Sequence, residues 1–241
     1  MSRGDGLTIS ARLAQLPWAE IEAALWERGY ARTNPLLTGE ECRHLAALYP
    51  NDGLFRSRVD MGRHRFGQGE YKYFARPLPP LVRALRTHAY PHLARIANRW
   101  MEALGSPARY PPRHPELLRL CAAHGQTRPT PLLLRYEAGG YNCLHQDLYG
   151  ALFFPLQIAA FLSRPGIDYT GGEFLLVEQR PRAQSVGEAL LPGQGELVIF
   201  TTSHRPARGA RGHHRVNVRH GLSRVHTGRR YALGIIFHDA R

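Results

Sequence analysis

Apolar positions along the chain fall into two textures, and the first is helical. After Pro17 the run from Trp18 to Arg28 sets Ile21, Leu25 and Trp26 on one stripe, and Gly29 supplies a stop. Thr38-Gly39-Glu40-Glu41 reads as a capping box opening a second helix through Leu45, Leu48 and Tyr49. Residues 79–104 predict two further helical segments parted at Tyr90-Pro91, the second using Leu93, Ile96, Trp100 and Leu104. From Pro129 the texture changes to short apolar runs bounded by glycine, proline or polar residues. These are Thr130–Tyr136, Tyr141–Asp147, Pro155–Ser163, Gly172–Glu178, Glu196–Thr202 and Arg230–His238. Strands at this spacing with no helices between them predict a sandwich, jelly roll or barrel. The expected organisation is α+β: a helical region over residues 1–128 supporting a β core over residues 129–241, in one compact unit with a soft boundary near 106–128.

Composition narrows the class. With 241 residues, 43% hydrophobic and 10% aromatic, the chain can fill a core and is not globally disordered. The longest apolar stretch, Ala151 to Leu162, is interrupted by Pro155 and Gln157 and is shorter than the ~20 residues a membrane helix needs. Met1 to Asp5 lacks the profile of a signal peptide. Cys42, Cys121 and Cys143 lie far apart without a CxxC pair, which argues for reduced thiols and a cytoplasmic location.

Charge changes the picture more. Lys and Arg total 32 against 19 carboxylates, a net charge of +13, and the single lysine is Lys72. A GC-rich genome accounts for arginine over lysine but not for the excess; a polyanionic partner accounts for the excess. Between Arg205 and Arg230 stand eight arginines and four histidines with no Asp or Glu, punctuated by Gly and Pro like a solvated loop. Upstream, Phe55-Arg56-Ser57-Arg58, Arg63-His64-Arg65-Phe66 and Tyr71-Lys72-Tyr73-Phe74 interleave rings with bases. Arginines of this kind bind phosphates while rings stack a base turned out of its helix; the alternative is that the rings pack the helical layer on the β core and the arginines snorkel around them. The candidate nucleic-acid contacts are Arg56, Arg58, Arg63, Arg65, Tyr71, Tyr73, Arg208, Arg211 and Arg215.

His145-Gln146-Asp147 is the chemical pivot. Residues two apart on a strand share a face, so imidazole and carboxylate converge. A further histidine, His220, is followed ten residues on by Arg230 at the head of an apolar run. Two histidines and a carboxylate on one face of a metal leave coordination positions open, the arrangement of non-haem Fe(II) oxygenases. A planar guanidinium such as Arg230 holds a carboxylate by two parallel hydrogen bonds. His214 also has an arginine ten residues on, Arg224, but in mid-loop. His204, His213, His214, His226 and His238 read as loop or surface histidines.

The stretch Arg135-Tyr136-Glu137-Ala138-Gly139-Gly140-Tyr141-Asn142-Cys143-Leu144-His145-Gln146-Asp147 resembles the entry element of the 2-oxoglutarate/Fe(II) dioxygenases. Thr170-Gly171-Gly172-Glu173-Phe174 is similar to their Gly-Gly-Glu strand, and His220 with Ser223-Arg224-Val225 and Gly228-Arg229-Arg230 to their closing element. The resemblance, over roughly residues 18–240, is nearer still to a prokaryotic subgroup described as oxygenases acting on damaged DNA. It implies a double-stranded β-helix (jelly-roll) core with a helical layer packed on it. It implies His145, Asp147 and His220 as iron ligands, Arg230 as anchor of the distal carboxylate of 2-oxoglutarate, and Tyr136 as a co-substrate contact. It further implies Fe(II), 2-oxoglutarate and O2 as requirements, and oxidative demethylation of alkylated DNA or RNA with release of formaldehyde, succinate and CO2. The rival expectations are a hydroxylase of a protein side chain or small molecule on this scaffold, and a non-catalytic nucleic-acid binder.

Overall fold

Two antiparallel sheets lie face to face, and helices back the larger one. The computed structural model describes residues 7–180, 182–210 and 212–241. The helices are α1 (Ile9–Ala14), α2 (Trp18–Arg28), α3 (Gly39–Ala47), α4 (Pro80–Ala103) and α5 (His114–Ala123). The strands are β1 (Tyr30–Arg32), β2 (Phe55–Asp60), β3 (Gly67–Gln68), β4 (Glu70–Phe74), β5 (Leu132–Glu137), β6 (Tyr141–His145) and β7 (Leu156–Phe161), then β8 (Tyr169–Gly171), β9 (Phe174–Gln179), β10 (Val186–Leu190), β11 (Leu197–Thr201), β12 (His204–Gly209), β13 (Gly212–Leu222) and β14 (Val225–Ile236). The larger sheet runs β1-β11-β7-β14-β5-β4-β2, with β8 pairing the start of β14; the smaller runs β10-β9-β13-β6-β3, with β12 on β13. This is the jelly roll that the sequence predicts.

The apolar runs of β5, β7, β11 and β14 are continuous because those strands are buried on both faces. Leu133, Ile158, Ala160, Leu197, Ile199, Leu233 and Ile235 point outward into one cluster with Leu25, Leu45, Val82, Leu93 and Trp100 of the helices. Their neighbours one residue along point inward, where Phe161, Val198 and Phe200 meet Phe174, Leu176 and Val218 of the smaller sheet. Thr38 and Glu41 form the predicted capping box, and Gly29 ends α2 in the left-handed region at φ 80°.

Three elements differ from expectation. Residues 80–103 are one helix with Pro91 inside it. An interior proline costs about 3 kcal/mol, but Leu85, Ala89, Tyr90, Leu93, Ile96, Ala97 and Trp100 are all buried along that helix, and each large apolar side chain so buried is worth roughly 1.5–3 kcal/mol. Residues 55–60 and 67–74 are strands, so the first 128 residues add β1 to β4 to the two sheets. Most of the arginine-rich segment is the hairpin of β12 and β13, with its end on β14: Val216, Val218 and His220 face inward while Arg215, Asn217 and Arg219 face solvent. The exposed arginines stand in a row on the solvent face, and acids from other strands take other members of the segment, as Glu178 takes Arg205 and Glu137 takes Arg229.

Candidate metal centre

Register builds the centre. His220 on β13 stands directly opposite His145 at the end of β6, so residues 75 positions apart have ring centroids 4.2 Å apart. Asp147 lies two residues beyond that strand end, with Oδ2 3.2 Å from His220 Nε2 and Oδ1 3.6 Å from His145 Nε2. One donor atom from each of the three falls within 4.8 Å of the others. His145 Nδ1 sits 2.8 Å from the Cys143 carbonyl, an arrangement in which Nδ1–H donates and Nε2 keeps its lone pair for a metal.

The protonation pattern suits a cation. Burial works to raise the Asp147 carboxyl, yet the His220 and His145 imidazoles and a hydrogen bond from Tyr149 outweigh it and hold the group far below the usual carboxylate range. Burial, with His145 close by, lowers His220 against the opposing pull of Asp147. An ionised carboxylate is the state in which this ligand accepts a metal.

The three residues open on a cavity of about 400 Å³ between the sheets. Arg230 reaches into it from β14. It is 3% exposed, its guanidinium sits 5.2 Å from the Phe161 ring and 5.8 Å from that of Tyr136, and its Nε has no partner. Among the described residues no carboxylate lies within ion-pair distance of it. A buried cation left without a counter-ion is costly, so this pocket fits an anionic ligand. Two residues before Arg230, Gly228 lets β14 lie close against the start of β8: at φ 76° a Cβ there would fall 2.1 Å from the Asp168 carbonyl oxygen. Arg224, the other arginine at the ten-residue spacing, bonds the Gly139 carbonyl outside the cavity.

The remaining expected residues scatter. Tyr136, Tyr71 and Arg65 line the cavity. Tyr73 is buried and its hydroxyl donates to Tyr149, so its ring supports the site from behind. Arg56 lies over the Tyr73 ring and donates to the Pro129 carbonyl; Arg58 pairs with Glu70 and Arg63 with Asp60. Arg208 and Arg215 are exposed on the hairpin, and Arg211 lies outside the described residues. His214 and His226 are exposed and do not line the cavity.

Three groups escaped the sequence reading. Tyr149 donates to Asp147 Oδ1 at 2.6 Å. Gln146 ties the loop down, donating to the carbonyls of Ser203 and Val218. Gln157 lines the cavity with an unpartnered amide nitrogen. Of these only Gln157 left a trace in the sequence, as a polar interruption of the longest apolar run.

A jelly roll carrying two histidines and an aspartate at its open centre, with a buried arginine free for a carboxylate, defines a 2-oxoglutarate/Fe(II)-dependent dioxygenase. Comparison with known proteins agrees. Residues 69–240 match the model of a family described as "Oxygenase, catalysing oxidative methylation of damaged DNA", and the chain belongs to that family. Two uncharacterised proteins of Mycobacterium tuberculosis, from strains CDC 1551 / Oshkosh and H37Rv, are each 52% identical over 167 residues, 69% of this chain and 72% of theirs. Among solved structures, a Pseudomonas putida prolyl-4-hydroxylase superposes with a TM-score of 0.57 at 15% identity, covering 93% of this chain and 99% of that one. A 2OG-Fe(II) oxygenase family oxidoreductase from Burkholderia pseudomallei gives 0.55 at 15% identity, covering 93% and 94%. At these identities the likeness is one of fold.

Proposed function

We propose that this dioxygenase oxidatively demethylates alkylated nucleic acid, releasing formaldehyde, succinate and CO2. When bound, Fe(II) and 2-oxoglutarate supply the coupling of co-substrate decarboxylation by O2 to hydroxylation of a C–H bond. His145, Asp147 and His220 would hold the metal, and Arg230, with Tyr136 beside it, the distal carboxylate. An N-methyl group hydroxylated at carbon loses formaldehyde and leaves the free amine, so this chemistry takes methyl groups off. The protein's own part is to fix the ligands, exclude water behind Phe161, Phe174 and Phe200, and bring the methyl group to the open side.

The observation that carries the nucleic-acid reading is exposed positive charge both at the cavity and on the outer face of the strand that supplies His220. Arg65 lines the cavity mouth, and β13, which bears His220, also carries exposed Arg215 and Arg219. A field of this sign favours phosphates, and the family's description names damaged DNA. The test is a turnover screen for formaldehyde and succinate with methylated single- and double-stranded oligonucleotides beside peptides. Methylated oligonucleotides are expected to turn over far faster. Equal, trace turnover of all of them would end the nucleic-acid reading, and selective turnover of a peptide would move the enzyme to side-chain hydroxylation.

A further inference from the structure

Inward-facing residues of β7 and β14 form a trench across the cavity. Their register pairs Phe161 with Ala232, Ala159 with Gly234 and Gln157 with Ile236, and all six line the cavity. Small side chains floor the middle. At one end Phe161 lies beside the Arg230 guanidinium. At the other stands Gln157, 3% exposed, its amide nitrogen without a hydrogen-bond partner. Gln157 pairs across to Phe200, whose ring is 4.8 Å from that of His220, so this end of the trench lies on the His220 side.

A buried amide without a partner costs roughly 1–3 kcal/mol, and an apolar residue would fill the position without that penalty. From Phe161 to Gln157 the strand advances four residues, about 13 Å. An extended five-carbon diacid with a hydrogen bond at each end fills that length. We propose that Gln157 is a co-substrate-binding residue: its amide N–H donates to the keto-acid end of 2-oxoglutarate while Arg230 holds the distal carboxylate. The amide's unmet bond is then the trench's second polar anchor, satisfied when the co-substrate binds.

The proposal separates binding from folding. Gln157→Met keeps the shape and removes the donor; Gln157→Glu puts a like charge against the ligand. Binding is read by calorimetric titration of Mn(II)-loaded protein with 2-oxoglutarate and with oxalate, which mimics the keto-acid end alone. Folding is read from the melting temperature of metal-free protein. Gln157→Met is expected to weaken both ligands by about tenfold or more, the scale of one hydrogen bond to a charged group, without lowering the melting temperature. Gln157→Glu is expected to weaken them further. Arg230→Ala is expected to weaken 2-oxoglutarate but leave oxalate binding intact. Affinity for both ligands within twofold of the parent in both Gln157 variants would overturn the assignment. So would a lowered melting temperature of Gln157→Met with affinity kept, since the amide would then be a structural group.

Discussion

The phenol of Tyr149 occupies one oxygen of Asp147, and Tyr73 donates in turn to Tyr149 at 3.0 Å, so the carboxylate is aimed by a chain of two phenols. Groups that orient a metal ligand typically change metal affinity or activity 10- to 100-fold when removed. Tyr149→Phe is therefore expected to fold normally and bind Fe(II) or Co(II) at least tenfold more weakly, measured by metal titration; unchanged affinity would reduce the bond to packing. At this scale the grouping of His145, Asp147 and His220 was legible, because His-x-Asp on a strand end followed by His and Arg ten apart is a pattern of spacing. Tyr149 was not, since two residues past Asp147 it reads as an ordinary loop tyrosine and only the path of the loop turns its hydroxyl back. Gln157 was visible only as an interruption, and its meaning needs the cavity.

The hairpin of β12 and β13 joins a solvent-facing row of bases to the strand that supplies His220. Replacing Arg208 and Arg215 together with Ala removes two exposed cations without touching the inward positions Val216 and Val218. If both contact phosphates, the slope of log affinity against log salt should flatten by about 1.4–1.8, at roughly 0.7–0.9 per contact. Fluorescence titration with an oligonucleotide at several salt concentrations reads this, and an unaltered slope would take the hairpin out of the binding surface. Local pattern misled here because Gly and Pro punctuation resembles a loop, whereas the pairing of β12 with β13, and of the end of β13 with β9, extends the backbone and makes the alternation of Val and Arg count. The same holds for β2 to β4, whose short runs become strands by adding to a sheet formed elsewhere in the chain.

Across the whole molecule, α4 is clamped to the end of the last strand. Arg86, fully buried, donates to the carbonyls of Ile236, Phe237 and His238 and pairs with Asp239 at 2.8 Å. Two histidines lie in the same region. Burial, and then the Arg86 charge, push His114 down to about 3 and His238 down to about 4, against an ordinary value of 6.5. Both are neutral when folded, and the unfolded chain takes up their protons first. Their contribution is complete above about pH 6.5 and is lost as pH falls toward 4, at about 1.4 kcal/mol per pH unit for each. Denaturant unfolding at pH 7 and pH 5 should show this loss, and His114→Gln, which keeps a donor for the Phe237 carbonyl, should flatten it by about one proton. An identical pH slope in the variant would assign the acid sensitivity to other groups.

What the amino-acid order determined by itself is what depends on neighbours a few residues apart: the caps and apolar stripe of α2 and α3, the strand runs after Pro129, the excess of positive charge and the spacing of His145, Asp147, His220 and Arg230. What only the tertiary structure decided is what depends on register between distant strands. That register sets His220 against His145, turns the arginine run into a two-faced ribbon, leaves Arg230 and Gln157 unpaired at opposite ends of one trench, and lets packing against the sheet carry α4 unbroken past Pro91. Side-chain direction alternates with every residue of a strand, so one step of slip would send these groups to solvent, and no local pattern fixes that step.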